Sequence, residues 1–126
     1  MKLLLAVAAG GALGAVGRYL VMVLVGHWLG TGFPFGTITV NVVGSFALGV
    51  LIELMALVWS PAPELRAFLV LGVLGAFTTF STFSMDTILL TERGAALQAA
   101  LYVGASVVLS ILGLFAGMRL CRLVIL

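Results

Sequence analysis

The residues of this chain that could do chemistry gather in one stretch, Gly75-Ala76-Phe77-Thr78-Thr79-Phe80-Ser81-Thr82-Phe83-Ser84. Five of its ten residues carry a hydroxyl and three carry a phenyl ring. It lies inside a long apolar region and follows directly on Leu69–Leu74, which is plain lipid-spanning sequence apart from Gly72. Hydroxyls here can bond back to carbonyls one turn earlier, which loosens and bends helices. Gly75 lowers the cost of a break. Clusters of Ser and Thr also act as glue between membrane helices, but intramembrane polar groups characteristically mark pathways. The alternation of rings and hydroxyls points to a substrate or ion site. Its donors are hydroxyls and the positive edges of aromatic rings, a set that suits a small anion.

Composition determines what surrounds that stretch. The 126 residues are 63 % hydrophobic and 8 % charged, with a mean hydropathy of +1.36. Soluble domains carry about 25 % charged residues, so the chain reads as an integral membrane protein. A spanning helix needs about 20 residues, and four of them nearly exhaust the chain as one transmembrane domain, 1–126. A net charge of +2 on so few ionisable groups gives no indication of nucleic-acid binding. Cys121 is the single cysteine and forms no intrachain disulfide. Lys2 and the apolar run after it mimic a signal peptide, but apolarity continues to Leu29, so the segment reads as a first span.

Four elements must position the chemistry. Helix 1 is expected over roughly Leu3–Leu29, with Gly10, Gly14 and Arg18 at four-residue spacing. Small residues one turn apart allow close backbone approach. Gly11 to Gly17 resembles a nucleotide fingerprint only superficially, because no strand–turn–helix unit fits here. Arg18 either snorkels to the interface or faces a wet cavity. His27 and Trp28 mark the far boundary. A Gly/Pro turn over 30–36 leads to helix 2, roughly Thr37–Trp59, whose Thr37, Asn41 and Ser45 share one face. Asn41 is either a site donor or one partner of an interhelical hydrogen bond. Glu53, near the end of the span, is expected to reach water.

Helix 3, roughly Glu64–Thr91, is too long for a straight span: its 28 residues would cover about 40 Å against a core near 30 Å. The break is expected in the hydroxyl-rich stretch near the midplane. Asp86 follows one turn after Thr82, and Glu92-Arg93-Gly94 forms a turn. Helix 4, roughly Ala95–Leu123, carries Tyr102, Ser106, Ser110, Gly113 and Gly117 on one face, with Arg119 and Arg122 anchoring its end. Four spans put Lys2, Arg66, Arg119 and Arg122 on one side, against Arg93 and at most Arg18 on the other. That bias is modest for setting orientation. The chain is also too small to enclose a pore, and its glycine faces on helices 1 and 4 call for partners, so a dimer is expected.

Three polar faces therefore converge: Thr37/Asn41/Ser45, the Phe80–Ser84 stretch, and Tyr102/Ser106/Ser110. None holds a cationic cluster, metal-ligand set, nucleophile–base pair or phosphate loop, so the chain reads as a non-enzyme. Neutral donors bind an anion weakly enough to release it, and a broken helix directs a partial positive charge inward.

These residues resemble the Fluc (CrcB) fluoride channels. The resemblance rests on Gly75 through Ser84, on Gly36-Thr37…Asn41…Gly44 and on Gly10-Gly11…Gly14…Arg18, and it covers all four helices. It implies a passive fluoride-selective channel in the plasma or inner membrane that exports cytoplasmic fluoride. The assembly would be an all-α, antiparallel dual-topology homodimer with two pores. Phe80 and Phe83 would line the pores by their ring edges, with Asn41 as donor. Thr37, Ser81, Thr82, Tyr102, Ser106 and Ser110 match the family's polar lining. A central structural sodium ion would sit on the backbone carbonyls of Gly75 and Thr78 from both subunits. Phe77 and Asp86 receive no assigned role.

The strongest rival is a proton-coupled small multidrug exporter, also four short helices. Its mechanism needs a membrane-embedded carboxylate, normally in helix 1, and helix 1 here has Arg18 and no acid. A holin-like assembly protein would account for the glycine faces but not for three aligned polar ones.

Overall fold

The computed structural model describes residues 1–126, and all of its regular structure is helical. It folds as α1 (Lys2–Leu29), α2 (Phe35–Leu57), α3 (63–77), α4 (Phe80–Glu92) and α5 (Ala96–Ile125). α3 and α4 together make the third of four stretches long and apolar enough to cross a membrane, Pro63–Glu92. The chain is a multi-pass membrane protein.

Its exterior is the apolar part. Leu13, Leu20 and Leu24 of α1 and Ile111, Leu120 and Leu123 of α5 are exposed, while many buried positions are small or polar, among them Gly14, Thr37, Gly49, Ser106 and Gly117. That inversion is what lipid as solvent favours: apolar side chains gain nothing from burial, and close backbone packing holds helices together.

Two glycine seams do this. On α1, Gly10 and Gly14 face α3 so closely that a Cβ on Gly14 would lie 2.1 Å from the Val73 carbonyl oxygen. On α2 and α5, Cβ atoms at Gly49 and Gly117 would fall 2.1 Å from the Leu114 oxygen and 2.3 Å from the Phe46 oxygen. Gly10 and Gly14 of the first span and Gly113 and Gly117 of the last are thus occupied within the chain itself. They do not call for a second copy, contrary to the sequence expectation.

The third span is irregular. Pro63 opens it at a first-turn position, where its missing N–H has no helical role. Over Ala67–Leu74 the helix widens to i→i+5 bonding, and it returns to α geometry for Gly75–Phe77. Thr78 (ψ 158°) and Thr79 (φ −152°, ψ 119°) are extended, and α4 starts at Phe80. Thr79 caps α4, its hydroxyl accepting the Thr82 N–H. The Thr78 and Ser84 hydroxyls donate back to the Leu74 and Phe80 carbonyls. At the chain reversals Gly30 and Gly94 adopt φ +79°, a left-handed conformation that side chains oppose. Arg93 ties the two connections together, its Nη2 donating to the Gly32 carbonyl at 2.8 Å.

Glu53 does not reach water. It is 4 % exposed and accepts both Nε and Nη2 of Arg122 on Oε1, at 2.8 and 2.7 Å. The Gly49/Gly117 seam brings α2 and α5 together one turn below, so Arg122 meets a carboxylate that would otherwise be buried without a partner. Arg122 is therefore a partner of Glu53 rather than a free anchor. Arg119 stacks over the Phe115 ring, 5.2 Å from its centroid.

Candidate functional site

The interruption between α3 and α4 is where the site is built. Its polar groups are satisfied by the two helices beside it. The Asn41 carboxamide on α2 donates Nδ2 to the Thr79 carbonyl (2.9 Å) and accepts the Thr79 N–H on Oδ1 (2.7 Å). This is the interhelical hydrogen bond, doubled, and it leaves one amide N–H of Asn41 for any ligand. On α1, the half-buried Arg18 turns toward the break, its Nη1 3.5 Å from the Thr78 carbonyl oxygen.

From the break, three elements frame a cavity of about 320 Å³. Asn41 and Ser45 come from α2, Thr78, Thr79, Phe80 and Phe83 from the break and α4, and Ser106 and Ser110 from α5. Ser106 is 5 % exposed, and its Oγ is buried without a hydrogen-bond partner. A buried polar atom left unpaired is uncommon and costly, and this one lies beside the Tyr102 side chain, behind the cavity wall.

Rings connect this cavity to a second polar cluster. Phe80, 77 % exposed, lies 5.4 Å from Phe83, and Phe83 lies 5.3 Å from Tyr102. Phe33, from the first connection, meets Tyr102 edge-on at 5.6 Å. The Tyr102 hydroxyl donates to Asp86 Oδ2 at 2.9 Å, and the Thr37 hydroxyl donates to the same oxygen at 2.7 Å. Thr37 and Tyr102 are buried. Ser81 and Thr82 do not border the cavity; their hydroxyls meet Thr79 Oγ1 at 3.3 and 3.1 Å.

Two participants had no assigned role from the sequence. Asp86 is the acceptor that joins Thr37 to Tyr102, and only its placement one turn after Thr82 hinted at this. Phe77 packs between α1 and α2, which no spacing rule signals.

The donor set at the break can also be tested against a cation. In a continuous helix the Gly75 and Thr78 carbonyls would accept the N–H groups of Thr79 and Thr82. Those donors are diverted, Thr79 N–H to Asn41 and Thr82 N–H to the Thr79 hydroxyl. Carbonyls freed in this way are hard oxygen donors of the kind a monovalent metal ion accepts, and the residues fit one, with the Arg18 guanidinium competing only weakly for the Thr78 oxygen at 3.5 Å.

Fold and site together define a small four-span helical membrane protein with a hydroxyl- and ring-lined cavity at an interrupted third span. The family described as CrcB-like protein, Camphor Resistance (CrcB), matches residues 5–118. The chain belongs to this family. It is similar to the fluoride-specific ion channel FluC of Rhodospirillum centenum, 67 % identical over 122 residues and covering 97 % of each chain. It is 52 % identical to the protein of the same name in Nitrobacter winogradskyi (96 % of each chain). To that of Agrobacterium fabrum it is 53 % identical, over 92 % of this chain and 93 % of the relative.

Proposed function

We propose that this protein is a passive, fluoride-selective channel, a single transmembrane domain that exports cytoplasmic fluoride across the plasma or inner membrane and catalyses no reaction. One observation carries the reading. The cavity beside the break is lined by neutral donors and phenyl rings, and the buried Ser106 hydroxyl there has no protein partner. Such donors can replace part of a small anion's hydration shell without the deep trap that a cluster of fixed cations would make. The path runs from the cavity along Phe80 and Phe83 to the Thr37–Asp86–Tyr102 cluster. Asn41, Ser106 and Ser110 serve as donors along it, and Ser81 and Thr82 support it from behind through the Thr79 hydroxyl. The names of the relatives support fluoride as the ion.

The assembly is an antiparallel homodimer of dual topology with two pores, and the third spans break near the midplane. Support comes from the size of the chain, the open cavity and the exposed Phe80 ring, which leave one subunit too small to enclose a path. A structural sodium ion would be held by the Gly75 and Thr78 carbonyls. It would supply a fixed positive charge that offsets carbonyl dipoles unfavourable to an anion. Fluoride efflux from liposomes containing the purified protein tests the reading, with chloride as comparison. Efflux no faster than from empty liposomes rejects it.

A further inference from the structure

Phe77 precedes the break, and its ring spans the gap between two helices. A Cβ on Gly17 of α1 would lie 3.6 Å from Phe77 Cδ1, and one on Gly44 of α2 would lie 3.3 Å from Cδ2. Opposite edges of one ring thus meet glycines on opposite helices. The same Gly44 Cβ would be 2.3 Å from the Thr78 methyl, so residue 44 has no room for any side chain while Thr78 stays in place. Each glycine adjoins a residue that contacts the break, weakly from α1 and strongly from α2. Arg18, next to Gly17, reaches the Thr78 carbonyl, and Asn41, three residues before Gly44, bonds both backbone groups of Thr79. We propose that Phe77, seated between Gly17 and Gly44, is a positioning residue for conduction: it sets where Thr78 and Thr79 lie and hence where Phe80 and Phe83 stand beside the cavity. The inference rests on the channel reading.

The geometry works as a wedge. A flat ring fills the slot between the two backbones; on the α2 side only glycine leaves it open, while on the α1 side a Cβ at residue 17 would just touch the ring. A branched aliphatic side chain of similar volume keeps the apolar contact but cannot touch both walls. The segment from Phe77 to Thr79 then shifts by the difference, and the first turn of α4 moves with it. Thr78 is the second element of the fit, because its methyl lies against Gly44 while its hydroxyl is anchored to the Leu74 carbonyl.

The test uses Phe77→Leu, Gly44→Ala, Thr78→Ser and the double variant Gly44→Ala/Thr78→Ser, each as full-length monodisperse protein in liposomes. Gly44→Ala should lower fluoride efflux about tenfold, because overpacking forces Thr78 aside. The double variant, which removes the opposing methyl and keeps the hydroxyl, should recover most of that loss. Phe77→Leu should lower efflux several-fold, with only a modest fall in thermal midpoint because most of the apolar volume is kept. The midpoints of the same proteins report the Gly44–Thr78 clash without reference to fluoride. A rescued midpoint without rescued efflux would overturn the positioning role, as would full efflux in Phe77→Leu. If the unsubstituted protein moves no fluoride, it is the channel reading that fails.

Discussion

Asn41 and Thr79 are joined twice, amide nitrogen to carbonyl at 2.9 Å and backbone N–H to amide oxygen at 2.7 Å, across 38 residues of chain. The side chain stands in for a missing turn of helix. In a solvent with no hydrogen bonds to offer, an extended pair of residues persists only where protein satisfies it.

The first prediction follows directly. Asn41→Ala orphans both backbone groups of Thr79, at about 1–3 kcal/mol each. The variant should lose thermal stability as well as fluoride flux. Asn41→Asp keeps the acceptor for the Thr79 N–H but loses the donor to its carbonyl, and should fall between. Unfolding midpoints in detergent that match the original protein for both variants would refute the account.

The Glu53–Arg122 pair predicts an asymmetry. The Glu53 side chain is 5 % exposed and that of Arg122 is 45 % exposed. Arg122→Ala leaves a carboxyl group buried among apolar neighbours, whereas Glu53→Ala leaves an arginine that can turn to water. Breaking a fully buried pair costs about 3–5 kcal/mol, and the exposure of Arg122 brings both values below that. The expected order of unfolding midpoints is Arg122→Ala below Glu53→Ala, with the double variant above Arg122→Ala. The reverse order would show that an unpaired Glu53 carboxyl is not the costly member of the pair.

How much of this was legible in the sequence depends on whether a signal is periodic or merely spatial. Four spans follow from hydropathy, because lipid demands long apolar runs. The four-residue spacing of Tyr102, Ser106 and Ser110 placed them on one face, and Tyr102 and Ser106 are indeed buried there. The glycines of α1 were read correctly as a packing face, but spacing says nothing about which helix fills it, and α3 does so in the same subunit. Glu53 and Arg122 lie 69 residues apart, and Thr37 and Asp86 lie 49 apart. Such pairs depend on which helices become neighbours, information that one sequence does not carry. Phe77 was hidden for another reason: its partners are two glycines, which show what they accommodate only once the backbones are in place.

The two rings nearest the break should respond differently to the same change. Phe80→Ile and Phe83→Ile both remove a ring edge facing the proposed path, and both should cut fluoride efflux strongly. Phe83 also packs against Tyr102, so its replacement should cost about 0.5–1.5 kcal/mol of stability beyond the lost area. Phe80 is 77 % exposed in the subunit and should cost less. Normal efflux in both variants would remove the rings from the mechanism.

The last prediction concerns the freed carbonyls at the break. Thr79 N–H and Thr82 N–H are bonded to Asn41 and to the Thr79 hydroxyl, so the Gly75 and Thr78 carbonyls lack their helical donors. Unpaired carbonyls away from water cost several kcal/mol. Arg18 approaches the Thr78 oxygen only to 3.5 Å, a long contact that offsets little of this. If two copies of the chain meet at their breaks, four such oxygens converge on the axis relating them, and a dehydrated monovalent cation is the simplest partner for the set. A crystal structure of the dimer should therefore show one ion about equidistant from these carbonyls, at metal–oxygen rather than hydrogen-bond distances. Replacing sodium with a bulky organic cation during purification should lower both the thermal midpoint and the fluoride flux. Thr78→Ser spares the backbone and the hydroxyl bond to Leu74, so the ion should remain in that variant. Density at water-like distances, together with flux and stability indifferent to sodium, would reject the site.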